Sequence, residues 1–249
     1  MPNKNALQAV PCETCPLREL DTFREFDDEE LAFVKNFKHG ELTIGPGAPI
    51  VMEESNSPHL YTVLEGLAFR YKSLPDGPRQ ILNYAMPGDL IGLHSSVFDV
   101  MNHVVDALTD ILLCVSPRDR LWSLYTQRPT LAFDVTWLAA REEQLLDEQL
   151  LTVGRRTALE RVAFVIWHLY RRGRSVGLVT ANKIVLPLTQ QHLADTLGLS
   201  LVHTNKTLKK LRATGCIAWA DRVLEIRDQD KLLEIAQMED TEEAKRPFI

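Results

Sequence analysis

Residues 186–217 read "LPLTQQHLADTLGLSLVHTNKTLKKLRATGCI", and their punctuation is that of two helices meeting at a tight corner. Thr189 can cap a helix running from Gln190 to Leu197, and Gly198 supplies the turn. Ser200 caps a second helix from Leu201 to about Thr214, and Gly215 stops it. Ala194 is small where the two helices must approach, and Leu193, Leu197, Leu199, Leu208 and Leu211 can share one core. The pattern predicts a helix-turn-helix whose positive charge sits on the second helix. Lys206, Lys209, Lys210 and Arg212 would lie near phosphates or bases, while His203 and Asn205 in the first turns could reach base edges. Thr189, Gln190, Gln191, Ser200 and Val202 complete the expected DNA-facing set. An ordinary helical hairpin would need neither the cap, glycine, cap punctuation nor the basic second helix.

Charge supports this reading once it is divided. The 249-residue chain has a net charge of −6, which by itself does not suggest a nucleic-acid partner. Between Gly154 and Gly215, however, eleven Lys/Arg face two acidic residues, a local +9 that leaves −15 for the remainder. An acidic body carrying a basic module implies an anionic partner, with double-stranded DNA the commonest. The alternative is a merely solvated basic face.

Upstream, residues 41–121 alternate short β-like runs ("LYTVLEGLAFRYKSL", "QILNYAM", "VVDALTDILLCVS") with the turn signals "GPGAP", "PDGP" and "PGD", which predicts an antiparallel barrel or jelly roll. Residues 129–151, "PTLAFDVTWLAAREEQLLDEQLL", are rich in helix formers, with proline at the first position. Leu131, Val135, Leu138, Leu145 and Leu146 form an apolar stripe, with Glu142 and Gln149 beside it, and the expectation is a dimerisation helix rather than an internal one. The segment "TALERVAFVIWHLYRR" repeats apolar residues at helical spacing and reads as a core helix; His168 within it is assigned no role. The expected class is α+β: arm and barrel over 1–128, the long helix over 129–153, and a winged helix-turn-helix over 154–249.

The barrel with "PGDLIGL", the long helix, the helix-turn-helix and the following "AWADRVLEIRD", which reads as a winged β pair, together resemble the Crp/Fnr family of bacterial transcription regulators over about residues 12–235. The resemblance implies a sensor barrel, a homodimer paired through the long helix, recognition of an inverted repeat, and RNA polymerase as a further partner. Two departures stand out. Cyclic-nucleotide-binding members hold the phosphate with an arginine followed by a small hydroxyl residue, whereas "PGDLIGLHSSVFDVMNHVV" has no arginine, which argues against cyclic AMP. Members reading a TTGA-type half-site carry Glu and Arg where this chain has Val202 and Lys206, so a different half-site is expected.

Four cysteines, Cys12, Cys15, Cys114 and Cys216, are too few for a disulfide framework. The resemblance to FNR-like oxygen sensors implies that Cys12, Cys15 and Cys114 hold a four-iron four-sulfur (4Fe-4S) cluster, with Asp21 five residues beyond the C-x-x-C pair in place of a fourth thiolate. The signal would be oxygen or nitric oxide. The competing readings are a chance C-x-x-C with Cys114 as core filling, a haem-based or small-molecule sensor, and a regulator with no ligand. A cupin-like metalloenzyme with His59, His94 and His103 as ligands is the rival from another class; no H-x-H pair with a following Glu supports it, so no enzymatic activity is expected. Neither a signal peptide nor a membrane span is legible, and a cytoplasmic protein without membrane partners is expected.

Overall fold

The computed structural model describes residues 10–75, 77–240 and 245–248. By contacts the chain divides into two compact units. Of the described residues, one contains 10–72, Tyr84–Glu143 and the C-terminal residues 245–248; the other contains Ser73–Asn83 and residues 144–240. This differs from the three consecutive segments expected, because the long helix, one hairpin and the C-terminus each change unit along their length.

The first unit begins with an arm of two short 3-10 turns, Cys12–Thr14 and Pro16–Glu19. Helix α1 (Asp28–Phe37) follows, started by a capping box in which the Asp27 side chain accepts from Glu30 N while the Glu30 carboxylate accepts from Asp27 N. Two orphan donors of its first turn are thereby satisfied. The barrel comprises β1 (Gly40–Ile44), β2 (Pro49–Val51), β3 (His59–Glu65), β4 (Ala68–Ser73), β5 (Arg79–Ala85), β6 (Leu90–Ile91), the short helix α2 (Leu93–Phe98), β7 (Val104–Ala107) and β8 (Ile111–Pro117). They form two four-stranded sheets, ordered β1-β8-β3-β6 and β2-β7-β4-β5. Val63, Ala68, Ile111 and Leu113, each at most 1% exposed, sit at the centre of the apolar core. Gly66 turns β3 into β4 at φ 88°, and a Cβ there would stand 2.3 Å from the Asp110 carbonyl oxygen. Only glycine meets both demands.

Helix α3 (Leu121–Gln127) leads into α4 (Pro129–Arg155), which runs one turn beyond the stretch expected. The seam anticipated on α4 needs correction. Leu131, Val135, Leu138 and Leu145 are buried within the chain itself. Glu142 pairs with Arg70 at 2.9 Å and Gln149 donates to the Thr196 carbonyl at 2.6 Å; of the seven residues only Leu146 is exposed. Helical periodicity identifies an apolar face but not what covers it, and α4 has two. The second face, Thr136, Ala139, Glu143, Leu146 and Leu150, follows a 3-4 spacing and is exposed throughout, Leu150 at 70%.

In the second unit α5 (Ala158–Ser175) is the central helix, with Trp167 and Ile166 fully buried. Thr157 and Glu160 form its capping box. Around it lie β9 (Val179–Thr180), β10 (Lys183–Val185), α6 (Gln190–Leu197), α7 (Leu201–Ala213), β11 (Ile217–Ala220), β12 (Val223–Ile226) and α8 (Gln229–Ala236). The strands make one sheet, β11-β12-β10-β9. Its hairpins turn through Ala181–Asn182 and Asp221–Arg222, all four residues at positive φ, the backbone of two-residue turns matched to strand twist. No helix among the described residues is long and apolar enough to cross a membrane.

Candidate nucleic-acid interface and thiol cavity

The boundaries of α6 are those read from the sequence, and their causes are visible. Thr189 Oγ1 accepts from His192 N at 3.1 Å, and His192 Nδ1 in turn accepts from Thr189 N at 3.2 Å. Gly198 closes the helix at φ 63°. Ser200 Oγ accepts from His203 N at 3.3 Å to start α7. The last carbonyls of α6, orphans of any helix end, are also filled: Gln80 Nε2 donates to Thr196 O at 2.9 Å and Arg161 Nη1 to Leu197 O at 3.1 Å. The tip of the β4–β5 hairpin, Ser73–Asn83, belongs to this unit, and its Arg79 Nε donates to buried Asp195 on α6 at 2.7 Å.

Helix α7 buries Thr204, Thr207, Leu208 and Leu211 and exposes the rest of its circumference. At 100° per residue, Val202, Lys206 and Lys209 point directly away from the buried stripe. His203 and Lys210 flank that line on one side, and Asn205 and Arg212 on the other. All are exposed except half-buried Asn205, and Thr189, Gln190, Gln191 and Ser200 are exposed at the two helix starts. A convex face with apolar and cationic residues in the middle and cations at both edges fits a major groove, with phosphates on either side. Exposed Arg222 at the β11–β12 tip adds a cation that the sequence reading did not name. The two polar residues between "IAWA" and "VLEI" were the signal for it.

The thiols also come together. Cys12, Cys15 and Cys114 line one cavity of about 30 Å³ in the first unit, with Lys38, Thr62, Phe26 and Phe248 among its other walls. The arm is held there by a clamp that the sequence did not reveal. Both oxygens of buried Glu41 accept from Val10 N at 2.7 and 2.8 Å, Lys38 Nζ donates to Val10 O at 2.7 Å, and Lys38 and Glu41 pair with each other. Burial raises all three thiol pKa values, with Lys38 pulling the other way, and Cys114 is pushed up to about 12. Burial thus favours the neutral thiol over the thiolate, the form that attacks electrophiles and binds metals.

The four-ligand set expected from the sequence is not assembled. Asp21 is exposed and is not among the residues lining the cavity, because the chain turns at Leu20–Thr22 and carries it to the surface. Among the described residues no group of three or more His, Cys, Asp or Glu side chains is placed to hold a metal ion. A volume that admits about one water does not fit a cluster of four irons and four sulfides. The cupin-like set fails on the same ground. His94 and His103 rings lie 5.8 Å apart, but His59 stands beside His39 and Tyr61 instead. Burial and the nearby Arg70 guanidinium hold His103 down at about 3.

Comparison with known proteins agrees with this architecture. The family described as "Cyclic nucleotide-binding domain" matches residues 41–128, and "Crp-like helix-turn-helix domain" matches residues 160–235. The nitrogen fixation regulation protein FixK of Bradyrhizobium diazoefficiens is 33% identical over 210 residues, 83% of this chain and 86% of that one. The transcriptional activator protein FnrL of Cereibacter sphaeroides is 27% identical, over 90% of this chain and 91% of its own length. The structure of FixK2 from Bradyrhizobium japonicum superposes with a TM-score of 0.72 at 26% identity, covering 83% of this chain and 99% of that one. With a barrel, a long helix and a winged helix-turn-helix in this order, and a relative this similar over most of both lengths, the chain belongs to the Crp/Fnr family of DNA-binding transcription regulators, which are not enzymes.

Proposed function

We propose that the chain acts in the cytoplasm as a homodimer that reads an inverted repeat with α7 in the major groove, recruits or contacts RNA polymerase there, and adjusts its DNA affinity to a redox or gas signal through Cys12, Cys15 and Cys114. The observation that carries the sensing part is the convergence of three thiols, from segments about a hundred residues apart in sequence, on one apolar cavity. Three cysteines in one cavity, held by a dedicated clamp on the arm, exceed what core filling requires. Pairing through the exposed face of α4 supports the dimer, since Ala139, Leu146 and Leu150 otherwise remain in water. Val202 and Lys206 at the centre of the exposed α7 face support a half-site other than TTGA.

The test is anaerobic purification followed by an absorption spectrum, iron and sulfide assays, and titration of an inverted-repeat duplex under argon, air and nitric oxide. The expected result is a DNA affinity that changes with the gas phase in the natural chain and not in Cys114→Ser. Stoichiometric iron and sulfide would show that the cavity opens to accept a cluster, and a Soret band would move the sensor to haem. Equal affinity in all three atmospheres would overturn the sensing role.

A further inference from the structure

Residues 245–248 belong to the sensor unit and are bound, as a peptide would be, against its arm. Arg246 N donates to Thr22 O at 2.8 Å and Arg24 N to Arg246 O at 3.0 Å, a two-bond strand pairing centred on Phe23. The Arg246 guanidinium donates to Asp89 Oδ1 at 2.7 Å, with both residues buried, and lies 5.2 Å from the Phe23 ring. Asp89 is itself fixed, its other oxygen accepting from Met86 N at 2.8 Å. Two residues on, Phe248 is 5% exposed, packed edge-on to Phe23 with centroids 5.1 Å apart and 4.8 Å from Phe26. Its ring is one wall of the cavity that Cys12, Cys15 and Cys114 share. Gly88 makes room for this arrangement, for a Cβ there would overlap Phe23 and approach Arg246.

We propose that Lys245–Phe248 is a latch: a segment of this chain seated in a site built by Thr22, Phe23, Arg24, Phe26 and Asp89, closing one side of the thiol cavity. Backbone pairing, a charge-assisted hydrogen bond and an aromatic anchor are the three elements of strand-type peptide recognition. The cavity holds about one water, so any larger occupant of the thiols must displace a wall. Phe248 lies in no helix or strand and is held by the pairing at Phe23 and by its ring contacts, so it opens at lower cost than the walls on β3 and β8. Occupancy of the cavity and seating of the latch therefore oppose each other, each weakening the other by the same factor.

The experiment is alkylation of the full-length chain by iodoacetamide, with the modified cysteine identified by peptide mass and followed in time. Cys216, fully buried in the other unit, is the internal control for unfolding. Phe248→Ala and a chain ending at Asp240 are expected to label Cys12, Cys15 and Cys114 at least about tenfold faster than the natural chain, with Cys216 unchanged, as local opening without global unfolding requires. Arg246→Lys, which keeps the charge but loses the planar fork, should fall between. The peptide Lys-Arg-Pro-Phe-Ile added to the shortened chain should restore slow labelling. If the shortened chain also exposes Cys216, Phe248→Ala and Arg246→Lys decide. Unchanged rates at all three thiols in Phe248→Ala, with Cys216 protected, would overturn the latch. The test uses no DNA and no gas, so its failure leaves the sensing role standing, and the reverse also holds.

Discussion

Lys210 and Lys206 lie on one helix and differ in what they should do, and the difference can be measured. Lys210 flanks the exposed face of α7 and Lys206 lies at its centre, by the 100° rotation per residue. In a dimer, Lys210→Ala removes two cations from the phosphate-facing edges. Each neutralised phosphate contributes about 0.9 to the slope of log K against log salt, so the slope should flatten by about 1.8. Between about 1 M salt, where the screening length is near 3 Å, and about 0.1 M, that is a loss of roughly 1.8 decades, about 2.5 kcal/mol. The loss should be the same on cognate and scrambled duplexes. Lys206→Ala should instead cost about 1–3 kcal/mol per half-site on the cognate inverted repeat, whose half-sites are expected about 10 bp apart, and markedly less on scrambled DNA. Fluorescence anisotropy titrations of both duplexes across a salt series provide every quantity. An unchanged slope for Lys210→Ala would refute the phosphate assignment, and equal losses on both duplexes for both variants would mean that neither lysine reads bases.

Removing the caps by Thr189→Ala or Ser200→Ala should each cost about 1 kcal/mol, measured by urea unfolding, because each hydroxyl accepts from the third residue of its helix. Leu150→Glu, on the exposed face of α4, should convert the dimer to monomer in sedimentation and abolish full-affinity binding to the inverted repeat; Leu145→Ala, buried in the chain, should lower stability by about 2–5 kcal/mol without changing the oligomeric state at low denaturant. Burial raises the Cys114 pKa from 9.0 to about 12 in the folded chain, so above pH 9 the unfolded thiol ionises while the folded one does not. Stability should fall there by up to about 1.4 kcal/mol per pH unit on account of Cys114; Cys114→Ser should remove that part of the decline between pH 8 and 10, and an identical decline in the variant would refute the assignment.

The helix-turn-helix was legible almost to the residue, because its signals are local: a hydroxyl accepts from the amide three residues on, and a glycine takes a left-handed turn. The barrel was legible as a class, through alternating runs between turn signals. What could not be read depends on contacts distant in sequence. The outward face of α4 is decided by Arg70 and Thr196, which cover Glu142 and Gln149, and no periodicity contains that information. Hairpin β9–β10 was missed because Ala181 and Asn182 take positive φ without a glycine to announce it. Asp21 stood at the right spacing for a ligand, yet spacing along a chain does not set direction. Conversely, the meeting of Cys12 and Cys15 with Cys114 was anticipated only through the family resemblance, and the Glu41–Lys38 clamp that produces it gave no sequence signal.

The division of charge acts before any contact is made. With +9 concentrated between Gly154 and Gly215 and −15 on the rest of the chain, a polyanion meets attraction or repulsion according to the part of the chain it approaches. The four cations of α7 share one helix, so their pull on a duplex is felt together within about a Debye length, while the acidic segments repel it over the same range. If α7 is the reading helix, salt sets both how tightly the duplex is held and the distance at which this sorting of approaches begins.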